Sequence, residues 1–241
     1  MANPVMKAME ESHILEGQPM TISGSINKTL ILLGVLVLAA TYTWGLVVKG
    51  FTDMASMLMW GGTIVGFILA LVICFTRKAM PVLTPIYAGC EGLFIGGISA
   101  IYAGQYAGIV VQAVVLTFAV MFSMLLLYKA RIIQCTDTFR SVIFTATLSV
   151  CAVYLIQIIA NFFGRGIPQI FTASPIGIGF SIVVVLIAAF NFIVDFDFVE
   201  RGEQLMLPKE YEWYGAFGLM VTLVWLYLEV LRLLAKLNSK R

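Results

Sequence analysis

Uncharged apolar runs of twenty or so residues recur along almost the whole chain. A helix needs about 20 such residues to cross the ~30 Å hydrocarbon core of a bilayer. Runs of that kind occur at Thr29–Val48, Met54–Thr76, Ser141–Gly164 and Ile176–Val194. The stretch Gly92–Tyr128 is uncharged for 37 residues, too long for one crossing. It contains Ala103-Gly104-Gln105-Tyr106-Ala107-Gly108, a turn-forming sequence, and splits there into helices near 81–101 and 108–128. A last run, Trp213–Leu228, continues past Glu229 to about Leu237. Outer-membrane strands would show short segments of alternating polarity; these runs are long and continuous. The expectation is an all-α polytopic membrane protein, a bundle of seven transmembrane helices at 29–241 behind a polar N-terminal tail at 1–28.

Composition agrees. Only 12% of residues are charged and 61% are hydrophobic, with a mean hydropathy of +0.98; soluble domains carry about 25% charged residues. Short connections leave no room for a second folded domain. With the N-terminus inside, Lys7, Lys28, Arg77, Lys78, Lys129, Arg131, Arg140, Arg201 and Lys209 fall on the inner side, and only Lys49 and Arg165 on the outer. That bias places the N-terminus in the cytoplasm. Seven crossings then put Lys236, Lys240 and Arg241 outside, where they would anchor at outer headgroups. The tail, with Glu10, Glu11 and Glu16, lacks the basic start and apolar core of a cleaved leader and reads as disordered.

Several chemistries find no support. A net charge of +2 without a basic cluster argues against nucleic acid. Cys74, Cys90, Cys135 and Cys151 are far apart and the single His13 lies in the tail, so no metal or redox spacing exists. There is no phosphate loop, no H-E-x-x-H and no nucleophile–base set. Acids on two adjacent spans bring intramembrane aspartyl proteases to mind, but Val194-Asp195-Phe196-Asp197 stands where their Gly-x-Gly-Asp signature belongs. The chain is expected to be no enzyme and to need no cofactor. Gly62-xxx-Gly66 and Gly92-xxx-Gly96 are small-residue faces for close helix approach, and Gly177 and Gly179 are read the same way. Tyr211, Trp213 and Tyr214 suit an aromatic belt where the last helix enters the membrane.

Acids at bilayer depth are rare because each costs at least ~2.5–3.5 kcal/mol, so they face partners, cavities or ion paths. Asp195 follows Asn191 by four residues and shares its helical face, a polar stripe suited to the interior. Asp197 points nearly the opposite way and pairs at i+4 with Arg201, which reads as a snorkelled pair at the membrane boundary. Glu91 lies about 15 Å into the third span, near mid-membrane, at ~1.5 Å per residue. Glu229 follows Thr222 by seven residues on one face, and Arg232 at i+3 is its natural counter-charge. Depth brings Asp195 nearer Thr222 than Glu229. Carboxylates are hard oxygen ligands that suit Ca²⁺ or H⁺, with transient Ca²⁺ at Asp195 and Glu91 as the only metal reading.

At these residues the chain resembles the Bax inhibitor (transmembrane Bax inhibitor motif) family, its bacterial branch in particular. The resemblance rests on Pro85-Ile86-Tyr87 leading to Glu91-Gly92-Leu93-Phe94, on Pro175-Ile176-Gly177-Ile178-Gly179-Phe180, on Asn191 through Phe198, and on Glu212-Trp213-Tyr214-Gly215-Ala216-Phe217-Gly218 into Leu226-Tyr227-Leu228-Glu229. It implies six helices around a central seventh, a bacterial inner membrane, and a pH-sensitive Ca²⁺ leak gated by an acid pair on the sixth and seventh helices. Asp195 matches the first acid. The second falls on Glu229 in one alignment and on Thr222 in another; depth favours Thr222, which leaves Glu91 or Asp197 to supply the missing carboxylate. The alternative implied by relatives is a non-conducting regulator that binds a membrane protease or a stress or death-pathway partner through the exposed N-terminal tail.

Overall fold

The computed structural model describes residues 18–75, 79–164 and 168–239. Seven long helices and one short turn of helix follow one another: α1 (Ile22–Val48), α2 (Thr52–Phe75), α3 (Met80–Gln105), α4 (Ile109–Lys129), α5 (Asp137–Phe162), the short α6 (Pro168–Phe171), α7 (Pro175–Gln204) and α8 (Tyr211–Asn238). All seven long helices are long and apolar enough to cross a membrane. The expected turn is present: α3 ends at Gln105 and Gly108, at φ 74°, takes the left-handed conformation that only glycine adopts freely. Helix starts follow local chemistry. The side chains of Thr21, Thr136 and Ser174 accept from the backbone amides of Gly24, Phe139 and Gly177, and Pro175 begins α7 where a missing N–H costs nothing.

Two boundaries differ from the uncharged runs. Helix α1 begins at Ile22, before Thr29, because Thr21 caps it and the charge of Lys28 is met inside the bundle. Helix α7 runs ten residues past Val194, so Asp195 lies well within a helix and not at its end. Residues 1–17, which hold Lys7, His13 and the acidic tail, are outside the described part, as are Arg77, Lys78, Arg165, Lys240 and Arg241. Just after that tail, the chain is fastened to the α7–α8 connection. The Met20 amide donates to Leu207 O at 2.7 Å, the Ile22 amide donates to Glu203 Oε1 at 2.9 Å, and Pro19 forms an antiparallel bridge with Pro208.

Helix α8 is the central element. Of its membrane window 56% is buried inside the protein, against 44% for α3, the next highest. It packs on α1, α3, α4 and α7, while α2 lies outside, against α1 and α3. The core follows from this: Met220, Leu226 and Leu231 of α8 are fully buried with Phe192 of α7, Leu32 of α1 and Ala88 of α3.

With lipid tails as apolar as the side chains, close packing rather than water exclusion holds such helices together. The glycine pairs provide it. A Cβ on Gly96 would collide with the backbone carbonyl of Ala40, and one on Gly92 with Leu36 O, so α1 and α3 touch backbone to backbone. A Cβ on Gly62 would stand 2.6 Å from Cys90 O, which joins α2 to α3 the same way. Gly179 does not belong to this set: nothing lies within 4 Å of where its Cβ would be. G96V is therefore expected to destabilise by at least ~1–3 kcal/mol, the usual cost of overpacking. G104A, placed where a Cβ meets nothing, should leave the protein close to native. Melting of the detergent-solubilised chain compares the two; equal melting temperatures would contradict the backbone contact.

Candidate functional site

The charged groups inside the bundle sort into three tiers along α7 and α8. The first lies at the end that gathers Lys28, Lys129, Arg131, Arg140, Arg201 and Lys209. Asp197 is 7% exposed there. Its Oδ2 accepts from Arg140 Nη2 at 2.6 Å and from Arg201 Nε at 2.7 Å, and its Oδ1 lies 3.5 Å from the Tyr128 hydroxyl. That hydroxyl donates to Glu200 Oε2 at 2.5 Å, and Glu200 pairs with Arg131. The i+4 partner Arg201 is as expected and is 47% exposed, but Asp197 itself is buried and has a second cation. Arg140 arrives from the start of α5 as a second cation on the same carboxylate, so a buried acid knots two helices together through two part-exposed arginines. Arg201 Nη2 also donates to the carbonyl of Cys135, whose thiol is pushed up by burial and by the nearby Asp197 charge.

Beside this knot, Glu212 at the start of α8 is 2% exposed. It forms an ion pair with Lys28, whose ammonium also lies 5.4 Å from the Trp213 ring centre, and it accepts from the Thr21 amide at 2.9 Å. Glu212 therefore ties α8 to α1.

The third tier is at the opposite end. Glu229, 2% exposed, accepts from Arg232 Nη1 at 2.8 and 3.0 Å and from the Tyr154 hydroxyl of α5 at 2.8 Å. Arg232 also donates to that hydroxyl and stacks over the Tyr154 ring at 4.9 Å. One turn later Lys236 is 6% exposed, so it does not reach the outer headgroups as expected. Three acceptors hold its ammonium inside: Ile170 O at 3.0 Å, Gly177 O at 2.9 Å and Ser181 Oγ at 2.8 Å.

Asp195 occupies the tier between them. Its Oδ2 accepts from Thr222 Oγ1 at 2.6 Å, and its Oδ1 faces Gly218, where a Cβ would come within 3.2 Å. Glycine at 218 and threonine at 222 lie on one face of α8 and make room for a carboxylate between the helices. No Lys or Arg forms an ion pair with Asp195 among the described residues. The polar stripe from Asn191 divides: Asn191 Nδ2 donates to Thr147 Oγ1 of α5 at 3.0 Å, while Asp195 turns to α8. Glu91 is half-buried mid-helix in α3. Its Oε1 accepts from Tyr87 on its own helix at 2.7 Å, and no cation pairs with it among the described residues. The structure thus brings Asp195 and Thr222 together, and separately Glu229 and Arg232. Asp197 and Glu91 each bond elsewhere, so neither serves as a second carboxylate hydrogen-bonded to Asp195.

Comparison with known proteins bears on the same stretch of chain. Residues 3–239 match the family model described as Bax inhibitor 1 like. The chain belongs to that family. No curated protein matches it.

Lys28, Arg140 and Lys236 were read from sequence only as boundary charges, and Tyr154 was not singled out. For Lys236 a signal existed, since it follows Arg232 by four and Glu229 by seven residues and shares their face. For Arg140 and Lys28 the partners are distant in sequence and no local pattern reveals them.

The knot around Asp197 yields an asymmetric prediction. R140A/R201A leaves a buried carboxylate without a cation and should cost ~3–5 kcal/mol. D197A should cost less, because the arginines, 40% and 47% exposed, regain water. Thermal unfolding followed by size-exclusion of the solubilised protein ranks the two; the reverse order would show that Asp197 is not enclosed.

Proposed function

We propose that this membrane protein is a passive, pH-sensitive cation leak, with Ca²⁺ as the permeant ion and Asp195 as the gating acid. One observation carries the reading. Asp197, Glu212 and Glu229 all have basic partners, whereas Asp195 sits between α7 and α8 with a neutral hydroxyl as its donor. An acid whose charge is not offset by a fixed cation is the one whose ionisation a passing cation or proton can change. A carboxylate with a threonine beside it offers hard oxygen atoms, the type Ca²⁺ takes. Glu91, likewise without a basic partner, would line the same path, and the Glu229–Arg232 pair would close it on the far side. The family resemblance supports a leak, and the substitution of threonine for a second acid makes this a one-carboxylate version of it. In this reading the chain sits in a bacterial inner membrane with its N-terminus in the cytoplasm, and it catalyses no reaction.

The test is Ca²⁺ entry into liposomes that hold the purified chain and an indicator dye, at about pH 6 and about pH 8, either side of neutrality. The native protein should conduct at rates that differ between the two. D195N should abolish the difference while the fold persists. T222D would place a second carboxylate beside Asp195, and since two such acids titrate as a coupled pair, its flux should depend more steeply on pH. Absence of native flux at both values would reject the leak and leave the non-conducting regulator, whose handle would then be residues 1–17. A deletion that tests the regulator must stop there, because Met20 and Thr21 fasten α1 to the α7–α8 connection.

A further inference from the structure

We propose that the cleft between α1 and α4 binds one acyl chain of a phospholipid from the leaflet on the Lys49 side. The two helices do not pack against each other, although both pack on α8. Between them lies a cavity of about 280 Å³ whose wall residues Val37, Val114 and Phe118 are exposed at the surface. Val37, Thr41 and Trp44 form one wall and Val114 and Phe118 the other, with Val224 and Tyr227 of α8 at the base.

The occupant follows from depth, lining and shape. The α4 wall runs from Val110 to Phe118, about 12 Å at ~1.5 Å per residue. Those residues open the outer half of a span that begins at Ile109, so the cleft fits within one leaflet of a ~30 Å core. Each hydroxyl of its lining is turned to a partner within the protein. Thr41 Oγ1 donates to Leu38 O, Thr117 Oγ1 to Ala113 O, and Ser99 and Tyr227 bond each other at 2.6 Å. The surface that the lining presents to the cleft is apolar, so a polar solute or an ion gains little by entering it. Water does not settle in an apolar cavity, and leaving it empty forfeits the dispersion contacts of its walls. Hydrocarbon tails surround the opening and are the one component of the bilayer that matches it. The site is separate from the Asp195 tier, and its test does not depend on ion flux.

The experiment uses the full chain in vesicles of phosphatidylethanolamine and phosphatidylglycerol doped with a phospholipid that carries a photoreactive group in its acyl tail. Illumination followed by peptide mass spectrometry should place adducts mainly on Val37, Thr41, Val114 and Phe118. V114W, which puts an indole into the cleft, should lower those adducts about tenfold, the ratio set by an overpacking cost near 1.4 kcal/mol. V37W fills the cleft from the opposite wall and decides the matter should V114W fail to elute as a single species. V115W, exposed to lipid outside the cleft, should change nothing. Adducts spread evenly over the lipid-facing helices, or cleft adducts that survive both filling variants, would overturn the proposal.

Discussion

A carboxylate surrounded by hydrocarbon must be given a partner by the protein, because the solvent offers none. Most of this bundle is arranged around that requirement. Asp197 draws α5 to α7 through Arg140, Glu212 draws α1 to α8 through Lys28, and Glu229 draws α5 to α8 through Tyr154. These bonds supply direction where apolar packing is indifferent to it. Glycine contacts set how closely α1, α2 and α3 approach. The buried polar groups set which faces meet.

Helix α8 shows how the two kinds of interaction share one element. Its glycines Gly215 and Gly218 face Val199 and Asp195 of α7 and allow close approach. Its polar residues Glu212, Thr222, Glu229 and Lys236 are all buried. They stand ten, seven and seven residues apart in turn. At ~1.5 Å per residue this spreads them over about 36 Å, the full depth of the membrane. A helix that carries so many polar groups has to be at the centre, because on the outside each would meet lipid.

The fold was legible because a membrane crossing is written in composition and length, both local properties. Seven apolar runs, a glycine turn at 103–108 and the small-residue faces at 62–66 and 92–96 all correspond to elements of the structure. Helix-face arithmetic was also enough to associate Arg201 with Asp197 and Arg232 with Glu229, since those pairs lie on one helix. It failed where partners come from different helices. Nothing around Arg140 says that it reaches Asp197 57 residues away, or that Lys28 reaches Glu212 across 184. The surface reading of Asp197 missed its second cation, and the headgroup reading of Lys236 failed, for the same reason. A single helix shows which side a residue is on, but not what the next helix brings to it.

The position of Asp195 between two compensated tiers bears on how a leak would be kept closed. Along α8, Thr222 lies about 15 Å from Glu212 and about 10 Å from Glu229 at ~1.5 Å per residue. In the proposed leak, an ion entering from the Lys28 end would have to pass the Asp197–Arg140–Arg201 knot and the Glu212–Lys28 pair. An ion leaving by the other end would have to pass Glu229, Arg232 and Lys236. In both outer tiers cations face the acids, and their fixed positive charge repels a divalent cation. In the proposed leak, opening would therefore require helix movement at each end and not merely ionisation in the middle. Two helices bear on this: α5 contributes both Arg140 and Tyr154, and α7 carries Asp195 and Asp197. A small rotation of α5 would loosen the Asp197 and Glu229 tiers together, since one helix supplies a partner to each. The middle acid would then act as the sensor, and α5 as the lever that couples the two closures.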